Sequence, residues 1–404
     1  MRTRRGVSTT VVIGAVVIIV IIVIGAFVLL SQPVSTTSST TSTTTPQTSS
    51  TTSSMTTSTG VSSASSTTSS TSTITNPADV ALYAAAKTEG SVVVYGSPTA
   101  QQFGNITAAF NAIYPGITVT YTSYQPPQAV PLINSQLATQ GYSADVALQA
   151  ATTMYPLEQS GDISSYVSPF AVGFPKEVLD PLNGSTPIIE LALGWMYNTN
   201  LIKPANVPTT MAQVANAQFK GEVVMNDPTT GTAFTQYWAT LEKQLGNATV
   251  LNFLHSLKNT TSPTILPTTT SCATDVAGGA HAICLAGYMQ EAAPDIQVGA
   301  PLKFLNITGL PLLITPNNAA VVKNAQHPNA AKLLIDFMAS PAGQTAWGNI
   351  DVRTPVSQTV NANWSLASEL KSFDPGAGTQ VYYPTPAVAA AGSAWGATFA
   401  FIKQ

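Results

Sequence analysis

The sequence predicts an α/β body of two lobes, set behind one transmembrane helix and a disordered Ser/Thr-rich tether. Three observations carry this reading. Arg2, Arg4 and Arg5 precede an unbroken apolar run, Val11–Leu30, long enough to cross a bilayer as a helix. Ser31–Asn76 is almost wholly Ser and Thr, with too little apolar surface to offset the entropy of ordering. The rest alternates short β-branched runs with helical periods, the pattern of a largely parallel sheet, and roughly 330 residues exceed one small core.

The N-terminal arginines, with no further charge until Asp79, place the N-terminus in the cytoplasm and the body outside. Residues 1–10 form the cytoplasmic segment, 11–30 the anchor and 31–76 the tether. Stretched, the tether reaches on the order of 150 Å. Expected localisation is therefore the cell membrane, through a single-pass anchor with an extracellular body.

Charged residues are 8% of the chain, against about 25% in ordinary soluble domains. The net charge of −3 leaves no electrostatic footprint for nucleic acid. Six N-x-S/T sequons, at Asn105, Asn183, Asn247, Asn259, Asn306 and Asn363, are glycan candidates on an external protein. Few carboxylates also means few to protonate on acidification, so acid unfolding should be weak. Cys272 and Cys284 are the two cysteines. Outside the cell they are expected to pair in a disulfide. No His or further Cys stands at zinc spacing, so no metal site or cofactor is expected.

In chain order, Asp79–Glu89 reads as a helix ended by Gly90, and Ser91–Tyr95 as a strand stopping at Gly96-Ser97-Pro98-Thr99. Phe103, Ile106, Ala109, Phe110 and Ile113 stand at helical spacing. Ile117–Tyr121 is a strand, Val130–Gln140 a helix, and Ala144–Leu148 a strand ending at Gln149 and Ala150. Ligands of such sheets sit at the carboxyl ends of strands, which brings forward Ser97, Thr99 and Gln149. The longer run Ile188–Asn198 crosses between lobes, closed by Tyr197-Asn198.

Gly221–Trp238 holds the strongest local signal. A strand, Val223–Met225, feeds through Asn226–Thr232 into a helix, Ala233–Leu245. Such a turn offers free backbone N–H groups and a positive dipole end to a carboxylate, an oxyanion or a sugar hydroxyl. Its candidates are Asp227, Thr229, Thr230 and Thr232. Trp195, Tyr237 and Trp238 read as core. Downstream, Ser271–Ala277 is a short helix, Ala282–Ala286 a strand ending at Gly287-Tyr288, Leu310–Thr315 a second crossing strand, His327–Ala339 a helix and Val381–Gln404 a closing helix. Arg353 is one of few cations and a candidate partner for an anion. No G-x-S-x-G or paired-acid frame supports a hydrolase.

Seven pieces in order resemble a known family: ALYAAAKTEGSVVVYGS, AFNAIYPGITVTY, ADVAL, YNTNLI, FKGEVVMNDPTTGT, AHAICLAGY and VVKNAQHPNAAKLLIDFMASPAGQ. Together they resemble the extracellular solute-binding proteins of ABC importers, nearest the ferric iron, thiosulfate and phosphonate binders. The resemblance implies a type II periplasmic-binding fold, with lobe 1 at 77–190 plus 312–350 and lobe 2 at 191–311 plus 351–404. It implies a monomeric, non-enzymatic binding domain that closes on a small molecule or ion and delivers it to permease subunits. Tyr288 falls at the family's ligand position, and Tyr197 joins the candidates. Ferric binders commonly use adjacent tyrosines, with a His or Tyr and a carboxylate; here one Tyr ends the strand and Gln149 stands where an acid would. The cleft therefore suits an oxyanion, a phosphonate, a sugar or a polyol; ferric iron is the alternative. Arg4-Arg5-Gly6-Val7-Ser8-Thr9 resembles an archaeal prepilin-type signal, whose cleavage after Gly6 would keep the anchor. That start also raises the alternative of a surface or pilus-like structural glycoprotein.

Overall fold

The computed structural model describes residues 77–230, 233–267, 271–373 and 381–404. The expected anchor, the tether and Thr232 lie outside them. Among the described residues no helix is long and apolar enough to cross a membrane.

The first half begins with α1 (Pro77–Glu89), which stops at Gly90, where φ is +73°. β1 (Ser91–Gly96) leads to α2 (Ala100–Ile113). A capping box starts α2: Gln102 N donates to the Thr99 hydroxyl, and the Gln102 side chain accepts from Thr99 N. Phe103, Ile106 and Phe110 form its buried stripe. β2 (Thr118–Ser123), α3 (Pro126–Gln140), β3 (Val146–Ala150), α4 (Ala151–Gln159) and β4 (Ile163–Ser164) follow. β1 lies parallel between β2 and β3. Asp145, fully buried, accepts from Val93 N and His327 N, and bonds His327 Nδ1 at 2.8 Å. His327 thus has a structural role, tying this sheet to a helix far along the chain.

β5 (Thr186–Asn198) is buried along almost its whole length. Beyond it lie α5 (Met211–Val214), β6 (Val223–Asn226), α6 (Ala233–Leu245), α7 (Asn247–Thr261), β7 (Thr264–Leu266), α8 (Cys272–Ala277), β8 (Ile283–Tyr288), α9 (Ala293–Gln297) and β9 (Leu302–Phe304). β6 is parallel to both β7 and β8. β10 (Leu312–Val322) returns antiparallel between β3 and β5, giving the order β2-β1-β3-β10-β5-β8-β6-β7. Two parallel three-stranded groups are thus joined by two long antiparallel strands. α10 (Pro328–Ala339), α11 (Pro341–Asn349), β11 (Thr354–Pro355), α12 (Leu366–Glu369), β12 (Val381–Tyr382) and α13 (Pro386–Thr398) complete the chain.

Each group has its own core. One gathers Phe103, Phe110, Phe337 and Trp347; the other Trp195, Tyr237, Trp238 and Phe253. Trp195 stacks on Phe253 at 5.2 Å, and burying a large apolar side chain contributes about 1.5–3 kcal/mol. The Cys272–Cys284 disulfide is formed and ties α8 to β8.

Two expectations are corrected. β10 does not stop at Thr315 but runs through Pro316-Asn317-Asn318 to Val322, with a register shift at Asn317/Asn318. Proline inside a strand reads as a break, and the shift is how the ladder absorbs it. Val381–Gln404 is not one helix: β12 pairs with β10, and α13 starts only at Pro386 after a capping bond from Thr385. Among the sequons, Asn183, Asn247, Asn259 and Asn363 are exposed. Asn105 and Asn306 instead donate their amides inward, to Asp351 and to Ser372 O.

Candidate functional site

A cavity of ≈ 210 Å³ opens where the two parallel groups face each other. Strand ends from both groups border it. Ser97 follows β1, Gln125 follows β2 and Ala150 ends β3; Asn226 ends β6, Ser271 follows β7 and Tyr288 ends β8. The joining strands supply the floor through Ile189, Leu191 and Asn317. Ligand sites of open α/β sheets sit at such strand ends.

Several of these strand ends lead into helices, so the cavity receives helix N-termini. Thr99 caps α2, Gln125 precedes α3, Ala150 precedes α4 and Ala233 opens α6. The unpaired N–H groups and dipoles there favour negative charge. Asn317 Nδ2 donates to Ser97 Oγ at 3.0 Å, while its Oδ1, buried, has no partner. Tyr288 packs its ring 5.4 Å from that of Phe234. Burial pushes the Tyr288 phenol well above its usual range, and the Glu291 charge adds to this. It therefore stays a neutral donor.

Among the described lining residues, Arg353 is the sole cation and Glu291 the sole anion, joined at 3.0 Å. Two strained residues flank this corner: Ala286 at φ +57° before Tyr288, and Val352 at φ +54° before Arg353. A β-branched residue rarely adopts that conformation, which costs about 1–3 kcal/mol.

The expected residues separate into two groups. Ser97, Thr99 and Tyr288 line the cavity. Gln149 stands behind it, fully buried, donating to Tyr124 O. Tyr197 pairs with Ile283 while Tyr288 pairs with Leu193, so the two tyrosines lie about 13 Å apart along β5 at ~3.3 Å per residue. Tyr197 packs on the second core instead. Asp227 accepts from Thr229 N and Oγ1 and from Lys403 Nζ at 2.7 Å. Burial opposes its ionisation, but Lys403 and Thr229 outweigh this and hold its carboxyl below the usual range. Thr230 donates back to Asp227 O. Asp227, Thr229 and Thr230 are thus bonded among themselves and to Lys403, while Asn226, which ends β6, lines the cavity. Asn317, Glu291, Gln125 and Ser271 carry no local sequence signal; Arg353 is visible only as a rare cation.

This arrangement is that of the periplasmic-binding fold. Three solved structures share it: the substrate-binding protein of an ABC transporter from Agrobacterium tumefaciens (TM-score 0.65, 13% identity, covering 78% of this chain and 94% of that one); iron-bound HitA from Pseudomonas aeruginosa (0.62, 19%, 78% and 99%); and AfuA from Actinobacillus pleuropneumoniae with fructose-6-phosphate bound (0.58, 22%, 68% and 87%). No curated protein matches the chain in sequence. Residues 92–349 match the bacterial extracellular solute-binding protein family, and the chain belongs to that family. It is a solute-binding protein of the ABC-importer type.

Proposed function

We propose that this chain captures a small anion, an oxyanion or a phosphonate, in the cavity between its two lobes and delivers it to an ABC permease. The observation that carries this is the convergence of four helix N-termini, those of α2, α3, α4 and α6, on a cavity containing Arg353. Ser97, Thr99 and Tyr288 serve as neutral donors beside it. The AfuA structure, with its phosphate ester, is a precedent for such a solute in this fold. The anchor Val11–Leu30 and the tether would hold the body at the outer surface.

Iron-bound HitA prompts the ferric reading, but the donor set here favours it less. A hard cation takes several anionic oxygens. Tyr288 is held as a phenol and Glu291 is held by Arg353. A sugar or polyol is the second reading, favoured by the amides of Asn226 and Asn317 and the Phe234–Tyr288 ring pair. Thermal unfolding with phosphate, sulfate, methylphosphonate, ferric citrate or glucose tests this. Stabilisation by an oxyanion or methylphosphonate is expected through linkage. Stabilisation by ferric citrate or glucose alone contradicts it.

A further inference from the structure

The Glu291–Arg353 pair is built asymmetrically. The Arg353 side chain is 10% exposed and that of Glu291 37%. Arg353 is fixed from behind: its N–H donates to Trp347 O at 3.0 Å, Val352 before it is locked at positive φ, and Thr354 after it pairs with Glu190. Glu291 sits in a single turn after β8, anchored through its carbonyl by the Thr274 hydroxyl. The ion pair therefore runs across the cavity, from the core containing Trp347 to the strand group containing β8.

Among the described residues the guanidinium makes one side-chain bond, Nη1 to Glu291 Oε1. A guanidinium carries five donors in a planar fork, suited to a tetrahedral or planar anion. Arg353 acts electrostatically on two other acids, Asp351 and Glu369. Neither bonds it: Asp351 accepts from Asn105 through Oδ1 while its Oδ2 is buried without a partner, and Glu369 accepts from Ala192 N and Thr354. Glu291 is the acid that bonds the guanidinium.

We propose that Glu291 is a built-in stand-in for the solute: its carboxylate occupies Arg353 until an anion exchanges for it and releases Glu291 to solvent. The inference rests on the anion reading above and extends it to how the site selects. Exchange of one anion for another keeps the guanidinium paired throughout, so no buried charge is left alone. The displaced carboxylate already borders water and is rehydrated at little cost. A neutral solute cannot replace Glu291 on Arg353, and a cation drawn to Glu291 meets the guanidinium beside it. Glu291 thus lowers affinity for the anion while raising discrimination in its favour.

Calorimetric titration of the protein with phosphate, sulfate, methylphosphonate, glucose and ferric citrate tests the exchange, using wild type, Glu291→Gln and Arg353→Gln. Glu291→Gln keeps shape and removes the competing charge; it is expected to tighten anion binding at least about tenfold. Arg353→Gln is expected to weaken it by at least as much. If Arg353→Gln does not fold, Glu291→Gln decides alone. Wild type binding an anion that Glu291→Gln binds equally or more weakly overturns the exchange and leaves the anion reading standing. Wild type and Glu291→Gln both binding only glucose, or only ferric citrate, overturns both together.

Discussion

Asn317 Nδ2 donates to Ser97 Oγ at 3.0 Å, so the strand joining the two halves meets the turn after β1 at the cavity floor. The other end of the same amide, Oδ1, is buried without a partner. An unpaired buried acceptor costs about 1–3 kcal/mol, which a solute hydroxyl or a protonated oxyanion would recover. Asn317→Ala is therefore expected to weaken solute binding at least about tenfold, read by calorimetry. The melting temperature should change little, since the lost bond to Ser97 offsets the orphaned acceptor removed with the side chain.

Tyr288→Phe removes one hydroxyl and keeps the ring against Phe234. Affinity should fall at least about tenfold, the worth of a hydrogen bond made to a charged group. Unchanged affinity would remove Tyr288 from the site. The fold should be intact by circular dichroism.

The disulfide supports the site from below. Cys272 follows the lining residue Ser271, its N–H donates to Asn226 Oδ1, and Cys284 lies in the strand ending at Tyr288. A Cβ on Gly287 would clash with Cys284 Sγ and lie 2.7 Å from Cys272 Sγ, so the strand passes the sulfurs only as glycine. Reduction should lower stability by about 2–4 kcal/mol and weaken solute binding, measured by thermal unfolding and calorimetry with and without reductant. Gly287→Ala should do the same without reductant.

Stability should rise on mild acidification. Burial pushes Glu190 up to about 8, with the Glu369 charge adding and the Tyr383 hydroxyl partly offsetting. Burial likewise brings Glu369 to about 7, against hydrogen bonds that lower it. Between the unfolded value of 4.5 and these raised values, the folded chain holds protons that the unfolded chain has lost. Stability therefore falls as pH rises through that window and is fully present below it. Glu190→Gln should remove about 1.4 kcal/mol per pH unit from the slope between roughly pH 5 and pH 7. Denaturant unfolding across that range checks it.

Long periodic segments were the legible part of the fold. α6 begins and ends where its aromatic period predicts, and β5 announces itself by an apolar run too long for an ordinary strand. α4 was hidden, because Pro156 interrupts a short stripe, and β11 and β12 are two residues each, too short for any period. The site divides on the same grounds. Ser97 and Tyr288 follow from strand ends, which sequence shows. Asn317 needs a strand that continues past Pro316, and Glu291 and Arg353 meet only in three dimensions, 62 residues apart. Asp227 is bonded to Lys403, 176 residues on, a pairing that nothing in the sequence announces.

The most direct test of the central claim is calorimetric titration of the wild-type protein with methylphosphonate, phosphate and sulfate, set against glucose and ferric citrate. One anion binding at one site per chain, and losing that binding in Arg353→Gln, is the expected result. One-to-one binding of glucose or ferric ion, with no heat from any anion, would contradict the account.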